Sequence, residues 1–212
     1  MKSIRRTFST IIILLAGLAL IFQPARAQSD GPLAIVMTAD GPIMPPMLEY
    51  IQRGVEVADG ENAEVLIVQL NTPGGSVGTM FEIITAIRAS NTPVIVYVSP
   101  KNAFAGSAGA PITFAAHASA MAPETFIGAA TPINESGENL NSDAKAKASN
   151  AVKAAIRPYL ETRGAEALQL GESMIDEAAA ATVDEALAVK LIDFKVDNVD
   201  DLLEALDGFT VQ

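Results

Sequence analysis

Val65 to Leu70 is a continuous apolar run apart from Gln69, the pattern of a strand covered on both faces in a parallel sheet. Asn71-Thr72-Pro73-Gly74-Gly75 breaks it sharply. From Ser76 to about Ala89, Met80, Ile83, Ile84 and Ile87 recur on one side of a helix, and Pro93 then opens a strand over Val94 to Val98. That succession is a βαβ unit. Upstream, Leu33 to Met37 reads as a first strand and Asp40-Gly41-Pro42 as its exit. A helix follows, with Met47, Ile51 and Val55 on one stripe and Gly60 just past its end.

Beyond Ser99-Pro100, the small residues Ala103 to Gly109 lead into an apolar helix reaching about Ala116, and Ser119 to Ala122 forms another short strand. Residues 131 to 142 are polar and contain glycine, which predicts a mobile loop. A helix over about Asp143 to Arg163 comes next, carrying Lys145, Lys147 and Lys153, with Pro158 placed to kink it. Thr182-Val-Asp-Glu185 matches a capping box, a helix continues through Ala186 to Leu191, Ile192 to Val196 is the last strand, and Asp200 to Leu206 a final short helix. No repeat or linker divides this stretch, so it predicts one α/β domain.

The N-terminus is built differently. Lys2, Arg5 and Arg6 precede the apolar stretch Ile11 to Phe22, and Pro24 and Ala25-Arg26-Ala27 follow. A basic start, a short apolar segment and a small-x-small site predict a signal peptide over residues 1–27, with cleavage after Ala27 and a mature domain over 28–212. Twelve apolar residues are few for a span that needs roughly 20. The protein is therefore expected to be exported, to a periplasmic or other extracytoplasmic location. Loss of the four N-terminal cations takes the basic count from 14 to 10 against 25 acids, and the formal net charge from -11 to -15. Such acidity argues against a nucleic-acid partner. With no cysteine, disulfides, thiol catalysis and cysteine-ligated metals are excluded.

Candidate chemistry centres on two turns. Thr72-Pro73-Gly74-Gly75 lies between a buried strand and a helix, where backbone N–H groups can point into a crevice at the carboxyl end of the sheet. Taken alone it is equally a tight structural turn. Ser107 sits between Gly106 and Ala108-Gly109 at a helix start, a setting that suits an accessible nucleophile. Taken alone it reads more simply as a helix-capping serine. The one histidine, His117, is ten residues along the same helix, so roughly 15 Å and nearly three turns separate it from Ser107. A Ser-His-Asp triad is thereby disfavoured, and His117 is expected to bond the helix's last carbonyls. A lysine can replace histidine if burial favours its neutral form, and Lys145, Lys147 and Lys153 are the candidates. There is no phosphate-binding GxxxxGKS/T loop, HExxH motif or histidine cluster, so no cofactor or metal is implied.

Taken together, Leu70-Asn-Thr-Pro-Gly-Gly-Ser-Val77, Pro93 to Pro100, Gly106-Ser-Ala-Gly109, Met121-Ala-Pro123 and Ile127-Gly-Ala-Ala-Thr-Pro132 resemble the protease domain of NfeD-type membrane-bound serine proteases. The resemblance covers about residues 32 to 200, and the joint spacing of five motifs is far more specific than any one of them. It implies the ClpP/crotonase-like α/β fold, with repeated ββα and βα units, a mainly parallel sheet and flanking helices. It also implies that Ser107 is the nucleophile of a Ser-Lys dyad. Aligning Ala154-Ala-Ile-Arg157 through Thr162-Arg-Gly164 with the family helix makes Lys147 the base, with Lys145 as the fallback. The oxyanion hole would be the backbone N–H groups of Gly75 and Ala108.

The same resemblance implies hydrophobic peptide segments as substrates, a stomatin-like protein or a separate NfeD membrane subunit as partner, membrane association, and a homo-oligomer. This chain departs from the family pattern in having Asn71 where many relatives carry an acid. Long family members carry transmembrane helices and a small β-barrel after the protease domain, and these 212 residues cover the protease-like part. Three other readings compete: a signal-peptide-peptidase-like enzyme using the same dyad logic, a non-catalytic scaffold of the same fold, and a crotonase-type acyl-CoA enzyme, which export disfavours.

Overall fold

The apolar βαβ run forms the centre of the protein in a computed structural model that describes residues 31–134 and 140–211. The expected signal peptide and residues 135–139 of the expected loop lie outside the described residues. Five parallel strands, β1 (Ala34–Asp40), β2 (Val65–Asn71), β3 (Val94–Val98), β5 (Ala118–Met121) and β8 (Phe194–Lys195), lie side by side in the order β1-β2-β3-β5-β8. All residues of β3 are buried, as a strand covered on both faces must be. Connecting helices α1 (Pro45–Gly60), α2 (Val77–Ala89) and α3 (Gly109–Ala115) bring Leu48, Ile51, Ile83, Ile87 and Phe114 into one core with Leu66, Val68 and Val96. The expected stripe of α1 is present, although Met47 packs only partly buried at the edge of that core.

A second, three-stranded sheet carries the Ser107 turn. Its strands β4 (Phe104–Gly106), β6 (Phe126–Gly128) and β7 (Ala180–Thr182) lie in the order β4-β6-β7, parallel for the first pair and antiparallel for the second. Such three-residue strands are too short to show a period, and the sequence pattern did not single them out. Helix α4 (Ser142–Glu161), with Asn141 capping it and Pro158 inside, pairs with α5 (Ala165–Asp176), another element the pattern did not mark. The capping box forms as expected: Thr182 Oγ1 accepts from the Glu185 N–H, and the Glu185 carboxylate accepts from the Thr182 N–H, opening α6 (Val183–Ala188).

The other face of the large sheet, with Ile67, Ile95, Tyr97 and Ala120, is covered by α7 (Val199–Leu206) through Leu202. Tyr97 donates its hydroxyl to the Val196 carbonyl across this face. Burial, with the nearby charges of Asp197 and Asp201, pushes its phenol up to about 12. Arg163, after α4, ties the two cores together. It donates to both Asp193 oxygens at 3.0 Å and to the Phe114 carbonyl, while Asp193 also accepts from the Ser119 N–H and hydroxyl. Among the described residues no helix is long and apolar enough to cross a membrane.

Candidate active site

Two turns at the carboxyl ends of β2 and β4 meet to make the site. The Thr72 N–H donates to the Phe104 carbonyl and the Gly106 N–H to the Thr72 carbonyl, which locks the β2 exit against β4. Asn71 braces the junction: its Oδ1 accepts from the Phe104 N–H and its Nδ2 donates to Asp40. The amide thus supplies an acceptor on one side and a donor on the other. An acid at this position could supply only the acceptor at neutral pH.

Gly74 has φ +103° and lies against the nucleophile candidate, so that a Cβ at this position would sit 2.4 Å from Ser107 Cβ and 2.9 Å from the Gly106 carbonyl oxygen. Only glycine fits there. The Gly74 N–H turns inward to Thr72 Oγ1, and the Gly74 carbonyl accepts from the Ile43 N–H. The Gly75 N–H is left without an acceptor among the described residues and lines the neighbouring cleft.

Ser107 is not the cap of the helix that follows. The capping position belongs to Ala108, and Ser107 adopts φ 48°, a left-handed conformation uncommon outside glycine. Its own N–H donates to the Gly128 carbonyl at 2.9 Å, which holds the turn, while its Oγ has no hydrogen-bond partner among the described residues. The Ala108 N–H, like that of Gly75, has no acceptor among the described residues. Ser107, Ala108 and Gly75 line one cleft of about 1320 Å³, whose walls include Met44, Val77, Met80 and Ile133. An unengaged hydroxyl beside two unengaged backbone donors is an arrangement able to attack a carbonyl and to hold the oxyanion that forms.

The three candidate lysines fall at different places. Lys145, on the first turn of α4, is half-buried and lines the cleft. Lys147 is exposed and outside the lining, because two residues turn a helix by about 200°. Lys145, Ser149, Val152 and Ile156 share the inward side, whereas Lys147, Asn150, Ala151 and Ala154 share the outward one. Lys153 is engaged in an ion pair with Asp176, itself part of the cleft wall. The structure therefore brings Ser107, Gly75, Ala108 and Lys145 together and leaves Lys147 apart.

His117 is remote from this chemistry, with a role different from the one expected. Its Nδ1 accepts from the Val94 N–H at 3.1 Å, so it starts β3 rather than closing α3. Burial, reinforced by the Arg88 charge, pushes its pKa below the ordinary value, consistent with an imidazole that accepts at Nδ1.

A family model, the NfeD1b N-terminal domain, matches residues 36–210. The chain is 34% identical over 199 residues to "Membrane-bound protease PH1510" of Pyrococcus horikoshii, covering 92% of this chain and 44% of that relative. It spans less than half the length of the curated relatives it matches. Among solved structures it resembles the 1510-N membrane-bound stomatin-specific protease, as a lysine-to-alanine mutant in complex with a substrate peptide. There the TM-score is 0.78 at 30% identity, over 86% of this chain and 83% of that one. A serine-to-alanine mutant of the 1510-N protease matches with a TM-score of 0.77 at 30% identity, over 85% of this chain and 87% of that one. ClpP1 from Listeria monocytogenes shares the fold, with a TM-score of 0.63 at 16% identity, over 79% of this chain and 94% of that one.

Proposed function

The chain belongs to the NfeD1b N-terminal domain family, and from that premise we propose that it is an exported serine endopeptidase that cuts hydrophobic peptide segments through a Ser-Lys dyad. The observation that carries this reading is Ser107 itself. It is held in a left-handed turn, and among the described residues its Oγ and the N–H groups of Gly75 and Ala108, which share its cleft, have no hydrogen-bond partner. In the mechanism a neutral lysine takes the Ser107 proton as Oγ attacks the scissile carbonyl. The Gly75 and Ala108 N–H groups hold the oxyanion, the lysine returns the proton to the leaving amine, and water resolves the acyl-enzyme by the same route.

The base is Lys147 in the family register of α4. A lysine acting this way must be desolvated when it accepts the proton, so Lys147 has to come inward as a peptide fills the apolar cleft. A second reading makes Lys145 the base, favoured by its place on the cleft wall. Lys153 is set aside by its ion pair with Asp176.

The substrate is proposed to be an apolar segment of a membrane-associated protein, of the stomatin type named for the solved 1510-N proteases. Exposed Met44, Val77 and Ile133 on the cleft wall suit such a segment. The mature domain is proposed to span residues 28–212 after removal of the signal peptide, to lie outside the cytoplasm near a membrane, and to act as a homo-oligomer, with a separate NfeD membrane subunit as a further partner.

The test is hydrolysis of a hydrophobic peptide library by wild type, Ser107→Ala, Lys145→Ala and Lys147→Ala, with labelling by a fluorophosphonate probe in parallel. Loss in Ser107→Ala and Lys147→Ala alone supports the dyad as proposed. Loss in Lys145→Ala with Lys147→Ala active moves the base by two residues. A folded wild type that neither cuts nor labels at Ser107 refutes the peptidase and favours a scaffold.

A further inference from the structure

Phe104 opens β4 three residues before Ser107, and its ring lines the cleft. The ring lies over Gly106. A Cβ at that position would meet Cε1, Cζ and Cδ1 of Phe104 at 2.1, 2.4 and 2.7 Å, so the missing side chain is what lets the ring rest across the strand beside the nucleophile. Phe126 pairs directly with Phe104 across the parallel β4–β6 ladder and stacks on it, with centroids 4.2 Å apart and planes 23° from parallel. Both rings stay partly open: Phe104 is half-buried and Phe126 is 42% exposed. A single exposed apolar side chain is ordinary, but a stacked aromatic pair left open at the wall of a cleft, with glycine placed to seat it, is a preformed apolar contact surface.

We infer that the Phe104–Phe126 stack is a specificity-determining subsite that receives a large apolar side chain from a substrate residue flanking the scissile bond. This inference rests on the peptidase reading and adds what that reading leaves open, a position-specific preference. A substrate side chain is the occupant because the stack is continuous with the Ser107 cleft, through Phe104 on its wall and the Gly106 position beneath the ring. The open ring faces lose water only when another apolar group covers them, so the gain falls on whichever substrate residue reaches them. Phe126 acts by holding the Phe104 ring in place and by adding area at the rim.

The experiment measures peptide affinity by fluorescence anisotropy in full-length Ser107→Ala protein, which cannot turn the peptides over. A set of labelled octapeptides carries Phe, Leu or Ala at one scanned position in an otherwise constant sequence. At one position Phe or Leu should bind about tenfold or more tightly than Ala. Phe104→Ala in this background should shrink that ratio to about twofold or less while ratios at other positions hold. Phe104→Leu, which keeps the apolar bulk, should retain an intermediate ratio, and this variant and Phe126→Leu decide the matter if Phe104→Ala does not fold. An unchanged ratio in folded variants, or no peptide binding at all, overturns the subsite. So does self-association abolished by Phe126→Leu with peptide ratios intact, which would assign the stack to a second copy. Hydrolysis by wild type is followed separately. Phe104-dependent binding without Ser107-dependent cleavage would retire the peptidase and leave the subsite, and cleavage with Phe104-independent preference would do the reverse.

Discussion

Replacing Gly74 by alanine tests the geometry on which the site depends. The new Cβ would lie 2.4 Å from Ser107 Cβ, 2.9 Å from the Gly106 carbonyl oxygen and 3.0 Å from Ser107 Oγ. Two of those three neighbours are a backbone atom and a Cβ, so no flexible side-chain end can swing aside. The backbone at φ +103° adds a second penalty, since an L-residue there costs about 1–3 kcal/mol. Overpacking against rigid neighbours costs about 1–3 kcal/mol more. Together these amount to about 2–6 kcal/mol, which for a domain of this size lowers the melting temperature by roughly 5–20 °C. Gly60→Ala is the control, because nothing lies within 4 Å of a Cβ there and the position is the last of α1. That change should leave the melting temperature within a few degrees or raise it slightly. Circular dichroism melts of both full-length variants supply the measurement. Fluorophosphonate labelling at a temperature where both are folded adds a local readout, since the strain falls directly on Ser107. A Gly74→Ala protein that melts within about 2 °C of wild type would refute the close approach of the two turns.

Asp59 should make stability acid-sensitive in a narrow window. Burial works against its charge, but hydrogen bonds from Thr92, Asn91 and Ser90 outweigh it and lower its pKa from 3.8 to about 2. Its contribution is therefore present above about pH 4 and lost as pH falls through 2, so Asp59→Asn should be less stable than wild type at pH 7, with the gap closing toward pH 2 in urea melts. Arg163→Met removes the Nη1 donor shared by both Asp193 oxygens, leaving that partly buried carboxylate only the Ser119 donors, and should cost about 2–4 kcal/mol. A double-mutant cycle with Asp193→Asn should give a coupling of at least about 1 kcal/mol, and simple additivity would contradict the pairing. Asn71→Asp replaces the donor to Asp40 by a second carboxylate, so it should destabilise the junction at low salt and recover in 0.5 M salt, and a salt-independent effect would contradict that account.

The parts legible in the sequence are those where burial is continuous. β3 falls on Val94–Val98, and α2 ends at Ala89, because two-sided burial and a wide apolar stripe leave the chain no alternative. The capping box at Thr182 was legible because its donors and acceptors lie within four residues of one another. The three-residue strands of the small sheet were not, since their register is set by partners up to 56 residues away, as Phe126 is from Thr182. The backbone of Ser107 belongs to the same class. Local propensity favours a serine cap before a helix, whereas the observed left-handed turn is imposed by Gly128 accepting its N–H and by Gly74 leaving room for its side chain.

Lys145 and Lys147 lie two positions apart on α4, and that spacing decides which of them faces the cleft. A resemblance aligns residues along a helix, and an error of two positions leaves every motif recognisable while rotating the functional group to the opposite face. Here Lys145 and Lys147 differ by that amount, and the apolar residues that would discriminate them, Val152 and Ile156, place Lys145's side of α4 inward. Among the described residues, one buried side-chain polar atom on this inward side has no hydrogen-bond partner, the Ser149 hydroxyl, one turn beyond Lys145. Modification of lysines by an amine-reactive reagent in Ser107→Ala protein, with and without bound peptide, separates the cases. Should Lys147 be the base, its move inward protects it from the reagent when peptide is bound. Should Lys145 be the base, Lys147 stays outward and is modified equally with and without peptide.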